Sequence, residues 1–212
     1  MTDGKDGLPM RAALSMALST LLVATALSGC SGISGIVGGS DSVEVPTWEV
    51  GDWWLYTFST PDYTDDTARL VVASVSEEGS TANMLAISSL TEARRHAVLN
   101  HNPFLGRMTH EDLAAFENGV AQTVMDFPLE EGDTWGFTLF SVEWSADVRG
   151  ISGNYVTMGA SSVDGSKLDY VYDTDAQFFS SFIWTDTSDV EQLRMMLADS
   201  GEEHSGDVYF VR

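Results

Sequence analysis

Cysteine is almost absent: one residue, Cys30, stands in a chain of 212. Everything beyond it must fold without a disulfide, a thiolate metal site or a cysteine nucleophile. Basic residues are scarce as well. Ten face thirty-two acidic ones, only two of the ten are lysine, and the formal net charge is −22. That balance argues against nucleic acid, because a phosphate backbone needs a cationic patch. It argues equally against peripheral docking on anionic lipid. Motifs of nucleophilic catalysis are missing: there is no G-x-S-x-G elbow and no S-x-x-K. No phosphate-cradling G-x-x-x-x-G-K-[ST] occurs. An acid pair suited to glycoside hydrolysis must arise somewhere among so many carboxylates, so its presence would carry no information. No catalytic residue and no cofactor are expected.

Metal ligands fare no better. His96 and His101 lie five residues apart and His110 precedes Glu111 and Asp112, but no zinc-site spacing is present. These are expected to be loop histidines. Asp62, Asp65 and Asp66, then Asp173 with Asp175, and Asp186 with Asp189, are spaced as calcium loops can be. None is followed by the Gly and distal Glu of an EF-hand. In a chain this acidic they read as solvated turns, and no metal site is assigned.

What the sequence does contain begins at its N-terminus. Met10 and Arg11 precede the apolar run "AALSMALSTLLVATAL", which ends in "LSGC" at Leu27–Cys30. A basic start, a short apolar core and small residues at the break describe a secretory signal. The first nine residues fit a signal poorly, so Met10 competes with Met1 as the start. The ending resembles the lipobox of bacterial and archaeal lipoproteins. That resemblance implies cleavage before Cys30 and a diacylglyceryl group on its sulfur. Two acyl chains give stable anchoring where one is marginal. The competing reading is an uncleaved anchor helix extended through "SGISGIV", but six Ser and Gly residues from Ser28 to Gly35 suit a cleaved, flexible stem better. The expected organisation is a signal peptide over 1–29, a Ser/Gly-rich tether over 30–44 and one β-rich extracytoplasmic domain over 45–212. One reading divides that domain into two similar halves, 45–125 and 126–212.

The acids are spread along the chain, which makes them a surface property and not a disordered tail. One reading is adaptation to a salty exterior, where the Debye length shrinks toward ~3 Å at 1 M and self-repulsion is tolerated. The other is calcium held by acidic loops. Lysine depletion alongside abundant acid resembles the style of halophilic and marine archaeal proteins, which favours the first.

From Pro46 onward, short apolar and aromatic segments alternate with Gly, Asp and Ser, the pattern of antiparallel sheet. The fold expected is mainly β: a twisted antiparallel sheet, half-barrel or sandwich, with at most one or two short helices. "TEARRHAVLNHNPF" can start as a helix that Pro103 ends. "THEDLAAFENG", residues 109–119, is either a two-turn helix capped by Thr109 or a strand with a turn at "ENG". "SEEGST" reads as a hairpin turn around Gly79.

One stretch is written twice. Glu49, Gly51, Asp52, Trp54, Tyr56 and Thr57 recur without gaps as Glu130, Gly132, Asp133, Trp135, Phe137 and Thr138. Gly-Asp makes a tight entry turn, and the alternate aromatics that follow face the core, where each buries roughly 150–250 Å². These "GDxWx[YF]T" strand starts resemble those of secreted archaeal and bacterial lipoproteins of unassigned function. "LDYVYDTDAQFFSSF" has a counterpart there as an aromatic strand-turn-strand pair. The resemblance implies a β-rich extracytoplasmic domain and carries no catalytic residue with it.

Trp53 is a residue the two copies do not share, the second having Thr134 in its place. With Leu55 it lies on the face opposite Trp54 and Tyr56, and with Trp48 it makes the candidate ligand-binding set, unless packing or a covering loop buries it. The function expected is a lipid-anchored binding or interaction module on the cell surface, meeting a hydrophobic small molecule or an envelope protein. The alternatives are a surface hydrolase using an acidic pair and a non-binding structural component of the envelope.

Overall fold

A computed structural model describes residues 42–62, 66–76, 82–99 and 102–211, without the side chains of 95–99. The signal segment, Cys30, most of the tether and the expected turn at residues 77–81 lie outside the described residues. The described body is one of two compact units, the one that begins at Gly39. No helix among the described residues is long and apolar enough to cross a membrane.

Twelve strands and one helix make up that body. The first six strands are β1 (Trp53–Ser59), β2 (Asp66–Ser76), β3 (Ala82–Ile87), β4 (Gly106–Thr109), β5 (Ala115–Glu117) and β6 (Val120–Gln122). The helix α1 (Leu90–Leu99) lies between β3 and β4. The rest are β7 (Thr134–Leu139), β8 (Val142–Ser152), β9 (Tyr155–Ser162), β10 (Lys167–Asp173), β11 (Phe178–Thr185) and β12 (Glu191–Gly201). They form a single antiparallel sheet in the order β6-β5-β4-β3-β2-β1-β12-β11-β10-β9-β8-β7. Neighbours in sequence are neighbours in space, and the first strand closes on the last. The result is a nearly closed barrel, with a seam between β6 and β7.

Side chains bridge that seam in place of a backbone ladder. Thr138 N donates to Gln122 Oε1 at 2.7 Å, and Ser141 N donates to Glu117 Oε1 at 2.9 Å. Edge amides that would otherwise invite another strand are satisfied this way.

The barrel is filled. Period-two alternation on β1 sends Trp54, Tyr56 and Phe58 inward. They meet Phe104, Phe178, Phe179 and Phe182, all buried, in a continuous aromatic core. The polar ends of these rings find acceptors, as buried donors must. Tyr56 Oη donates to Phe179 O at 2.6 Å, Tyr170 Oη to Val124 O at 3.1 Å, and Trp144 Nε1 to Leu139 O at 2.9 Å.

Each written repeat is a turn of the same build. Asp52 N donates to Glu49 O (3.1 Å), and Asp133 N to Glu130 O (3.1 Å). The aspartate side chain returns the bond, accepting from Glu49 N at 2.8 Å and from Glu130 N at 3.2 Å. The third residue needs positive φ, which glycine supplies at +107° for Gly51 and +92° for Gly132. Each turn then docks on the next strand: Gly51 N and Asp52 O bond Val72, and Gly132 N and Asp133 O bond Val148. Val72 and Val148 are each the seventh residue of an eleven-residue strand, and the register of each strand with its other neighbour slips just beyond that valine. The repeat is therefore a hairpin, longer than its shared letters. The expected half boundary at 125/126 falls in the connection between β6 and β7.

The two glycines differ in one respect. A Cβ on Gly51 would come within 3.4 Å of Glu203 Cα and His204 N, whereas Gly132 has nothing within 4 Å. Gly132→Ala should cost about 1–2 kcal/mol, the strain of a left-handed backbone alone. Gly51→Ala should cost measurably more in urea unfolding; equal losses would mean that the segment after β12 adds nothing there.

Of the two readings of residues 109–119, the strand forms. Leu113 takes φ +52°, which no α-helix allows. Thr109 Oγ1 donates to Asp112 and accepts from Ala114 N at 2.7 Å, so the would-be cap closes a loop instead. Asn118 and Gly119, at φ +51° and +80°, make the two-residue hairpin turn of β5 and β6.

Candidate binding site

The first repeat turn sits at one end of the barrel, and two segments converge on it. Trp48 Nε1 donates to Gln177 O at 3.0 Å and Trp54 Nε1 to Ala176 O at 2.6 Å, which pins the β10–β11 turn beneath the two indoles. Asp173 organises that turn from within by accepting from Asp175 N and Ala176 N. The segment after β12 crosses on the other side, where His204 N donates to Gly51 O at 2.9 Å. It continues to Tyr209, which bridges to Ile87 at the end of β3.

Between these segments lies a cleft made of two adjoining cavities of about 90 and 270 Å³. Its walls include Glu49, Asp52, Asp175, Glu202 and Glu203, and neither lysine nor arginine lines it. Two of these acids are already engaged: Asp52 holds its turn, and Asp175 accepts from Asn154 Nδ2 at 2.6 Å. Chemically the cleft suits hydrogen-bond donors and cationic groups. Among the described residues no three His, Cys, Asp or Glu side chains converge as metal ligands would.

Trp48, Trp53 and Leu55 do not share one surface. Trp48 is buried, 4.7 Å from Trp54 and 4.9 Å from Phe178 between ring centroids. Trp53 and Leu55 face outward from β1 and are half-buried. The Arg69 guanidinium lies 4.2 Å from the Trp53 ring centroid, a cation–π contact. Trp53 also lies against its cross-strand partner Gly201, where a Cβ would come within 2.8 Å of the indole. Gly201 in turn lines the cleft, so the outer face of β1 and the acidic cleft meet at that residue.

The other candidates have structural roles. Asp186 caps the β11–β12 turn, accepting from Ser188 N (2.8 Å) and Val190 N (3.0 Å). Those bonds hold its carboxyl below the usual range. Hydrogen bonds from Ser162 and Ser166 lower Asp164 in the same way. His110 Nδ1 is 3.1 Å from Asn83 Oδ1. Asp65, His101 and the side chain of His96 lie outside the described residues.

Arg69, Glu202 and Glu203 escaped the reading of the sequence. Only strand register puts Arg69 beside Trp53, and only chain reversal after β12 brings the two glutamates to the first repeat turn.

No protein-family model, no curated protein and no solved structure matches the chain.

Proposed function

We propose that this protein is a lipid-anchored module at the extracytoplasmic face of the membrane, held through Cys30, which engages an envelope partner by its surface and performs no catalysis of its own. The filled barrel carries the reading. Small barrels that hold a ligand keep an internal space for it, whereas here Tyr56, Tyr170, Phe178, Phe179 and Phe182 occupy the interior. A partner must therefore be met outside, at the acidic cleft or at the Trp53 face of β1. A hydrophobic small molecule would be limited to the same outer face. The acid excess is in keeping with work in a salty exterior, where screening offsets self-repulsion.

Cys30→Ser tests the anchor. The altered chain, expressed in a lipoprotein-processing host, should leave the membrane pellet for the soluble fraction. Intact mass of the unaltered chain should show cleavage before Cys30 and an added diacylglyceryl group. Retention of Cys30→Ser in the membrane would instead support the uncleaved anchor helix.

A further inference from the structure

The outer face of β1 carries charges that neither the anchor nor the cleft accounts for. Leu55 points outward, and directly across from it stand Arg69 on β2 and Asp199 on β12. Residues directly opposite on adjacent strands project to one face, with Cβ atoms about 4.5–5.5 Å apart. The three make a row of cation, leucine and carboxylate, with its ends about 10 Å from each other.

Among the described residues neither end is paired. Arg69 has only the Trp53 ring, and its Nε is buried without an acceptor. The Asp199 carboxylate receives only the amide of Ser200. Three other cations of the barrel wall have acids: Arg149 bonds Asp169 and lies 3.4 Å from Asp147, Lys167 is 3.5 Å from Asp189, and Arg194 bonds Glu191. In a chain with three acids to each base, an arginine without one is conspicuous. The same face presents apolar surface around the row. Trp53 is two residues from Leu55, and Met196, 37% exposed, stands opposite Thr57.

We propose that this face is the contact between two copies of the chain, related by a two-fold axis running along β1 above Leu55. A half-turn about that axis lays Leu55 on Leu55 and sets each copy's Arg69 over the other's Asp199. One patch serves both partners, as an isologous interface requires. Two sheets meeting face to face in near alignment is an ordinary packing. The guanidinium lies over Trp53, and its terminal nitrogens, not the buried Nε, are left to meet a carboxylate. The two ion pairs set the register, and the leucine, tryptophan and methionine side chains supply the apolar contact. Each copy carries strong like charge, so association should strengthen as salt screens the general repulsion.

The test uses the full chain in its membrane. Leu55→Cys puts a thiol on the axis, and mild oxidation should link two copies into a band of twice the monomer mass. The unsubstituted chain, whose only cysteine is Cys30 with its sulfur taken by the lipid, is the control and should stay at one mass. Adding Arg69→Asp to the Leu55→Cys chain should abolish the link, and adding Asp199→Arg to that should restore it. Sedimentation equilibrium in detergent at 1 M salt should give the unsubstituted chain a dimer mass and Arg69→Asp a monomer mass. A monomeric unsubstituted chain, a cross-link indifferent to Arg69→Asp, or a double exchange that fails to restore it would each overturn the proposal.

Discussion

Trp54→Ala should destabilise the domain by about 3–5 kcal/mol, the cost of deleting a large buried aromatic. Domains of ordinary stability hold only about 5–15 kcal/mol, so a large share of the margin is lost. The ring is 2% exposed and lies 4.7 and 5.0 Å from Trp48 and Phe178. Its loss opens a cavity at the centre of the aromatic core. It also leaves Ala176 O without its donor and frees the β10–β11 turn that forms one wall of the cleft. Trp135 holds the same place in the second repeat, but it is half-buried on the seam strand β7 and its Nε1 has no acceptor. Trp135→Ala should therefore lose well under half as much. Urea unfolding followed by circular dichroism compares the two, and equal losses would contradict the assignment of the first copy to the middle of the sheet and the second to its edge.

Alkali should unfold the protein sharply. Burial raises Tyr56, Tyr170 and Tyr172 above the ordinary tyrosine value, with help from Asp173 at Tyr56 and Tyr172 and from Asp147 at Tyr170. The sign follows from which state ionises first. Below about pH 10 both the folded and the unfolded chain keep these phenols neutral, and their contribution to stability is fully present. Above it the unfolded chain releases three protons that the folded chain retains, so stability falls as pH rises toward the folded values. Each phenol contributes about 1.4 kcal/mol of loss per pH unit, and three together lose about 4 kcal/mol per unit. A domain with about 5–8 kcal/mol of stability should unfold between about pH 11 and 12. Tyrosinate absorbance should show Tyr56, Tyr170 and Tyr172 ionising only with the loss of circular dichroism. A smooth titration of all three with the fold intact would refute the buried assignment. Tyr56→Phe should make the loss of stability with pH shallower, about 3 instead of about 4 kcal/mol per unit, while lowering stability at neutral pH by about 1–3 kcal/mol, since Phe179 O loses its donor.

Some of this architecture was legible because its causes are local. The alternation of Trp54, Tyr56 and Phe58 needs only the pleat of a strand, and it gave the inward face correctly. The Glu-x-Gly-Asp turns were legible for the same reason, since a positive-φ glycine and an aspartate bonding back three residues are encoded side by side. The region around residues 109–119 was ambiguous because Thr109 and Asp112 can cap a helix or close a loop. The left-handed Leu113, buried in the core, decided between them, and burial of that kind is a tertiary fact.

The sequence by itself determined a chain poor in base and in cysteine, a β-rich body, and a turn used twice. Tertiary structure alone decided that β1 pairs with β12, which closes the barrel and turns its aromatics into a packed interior. It also decided that the repeat extends over a whole hairpin, because Val72 and Val148 match by position in the sheet and not by any flanking letters. Trp53 shows the division most clearly. Its outward direction follows from strand period, but Arg69 and Gly201 reach it from strands that lie 16 and 148 residues away in the chain. Cross-strand register is set by the closure of the whole sheet, and no local pattern carries it.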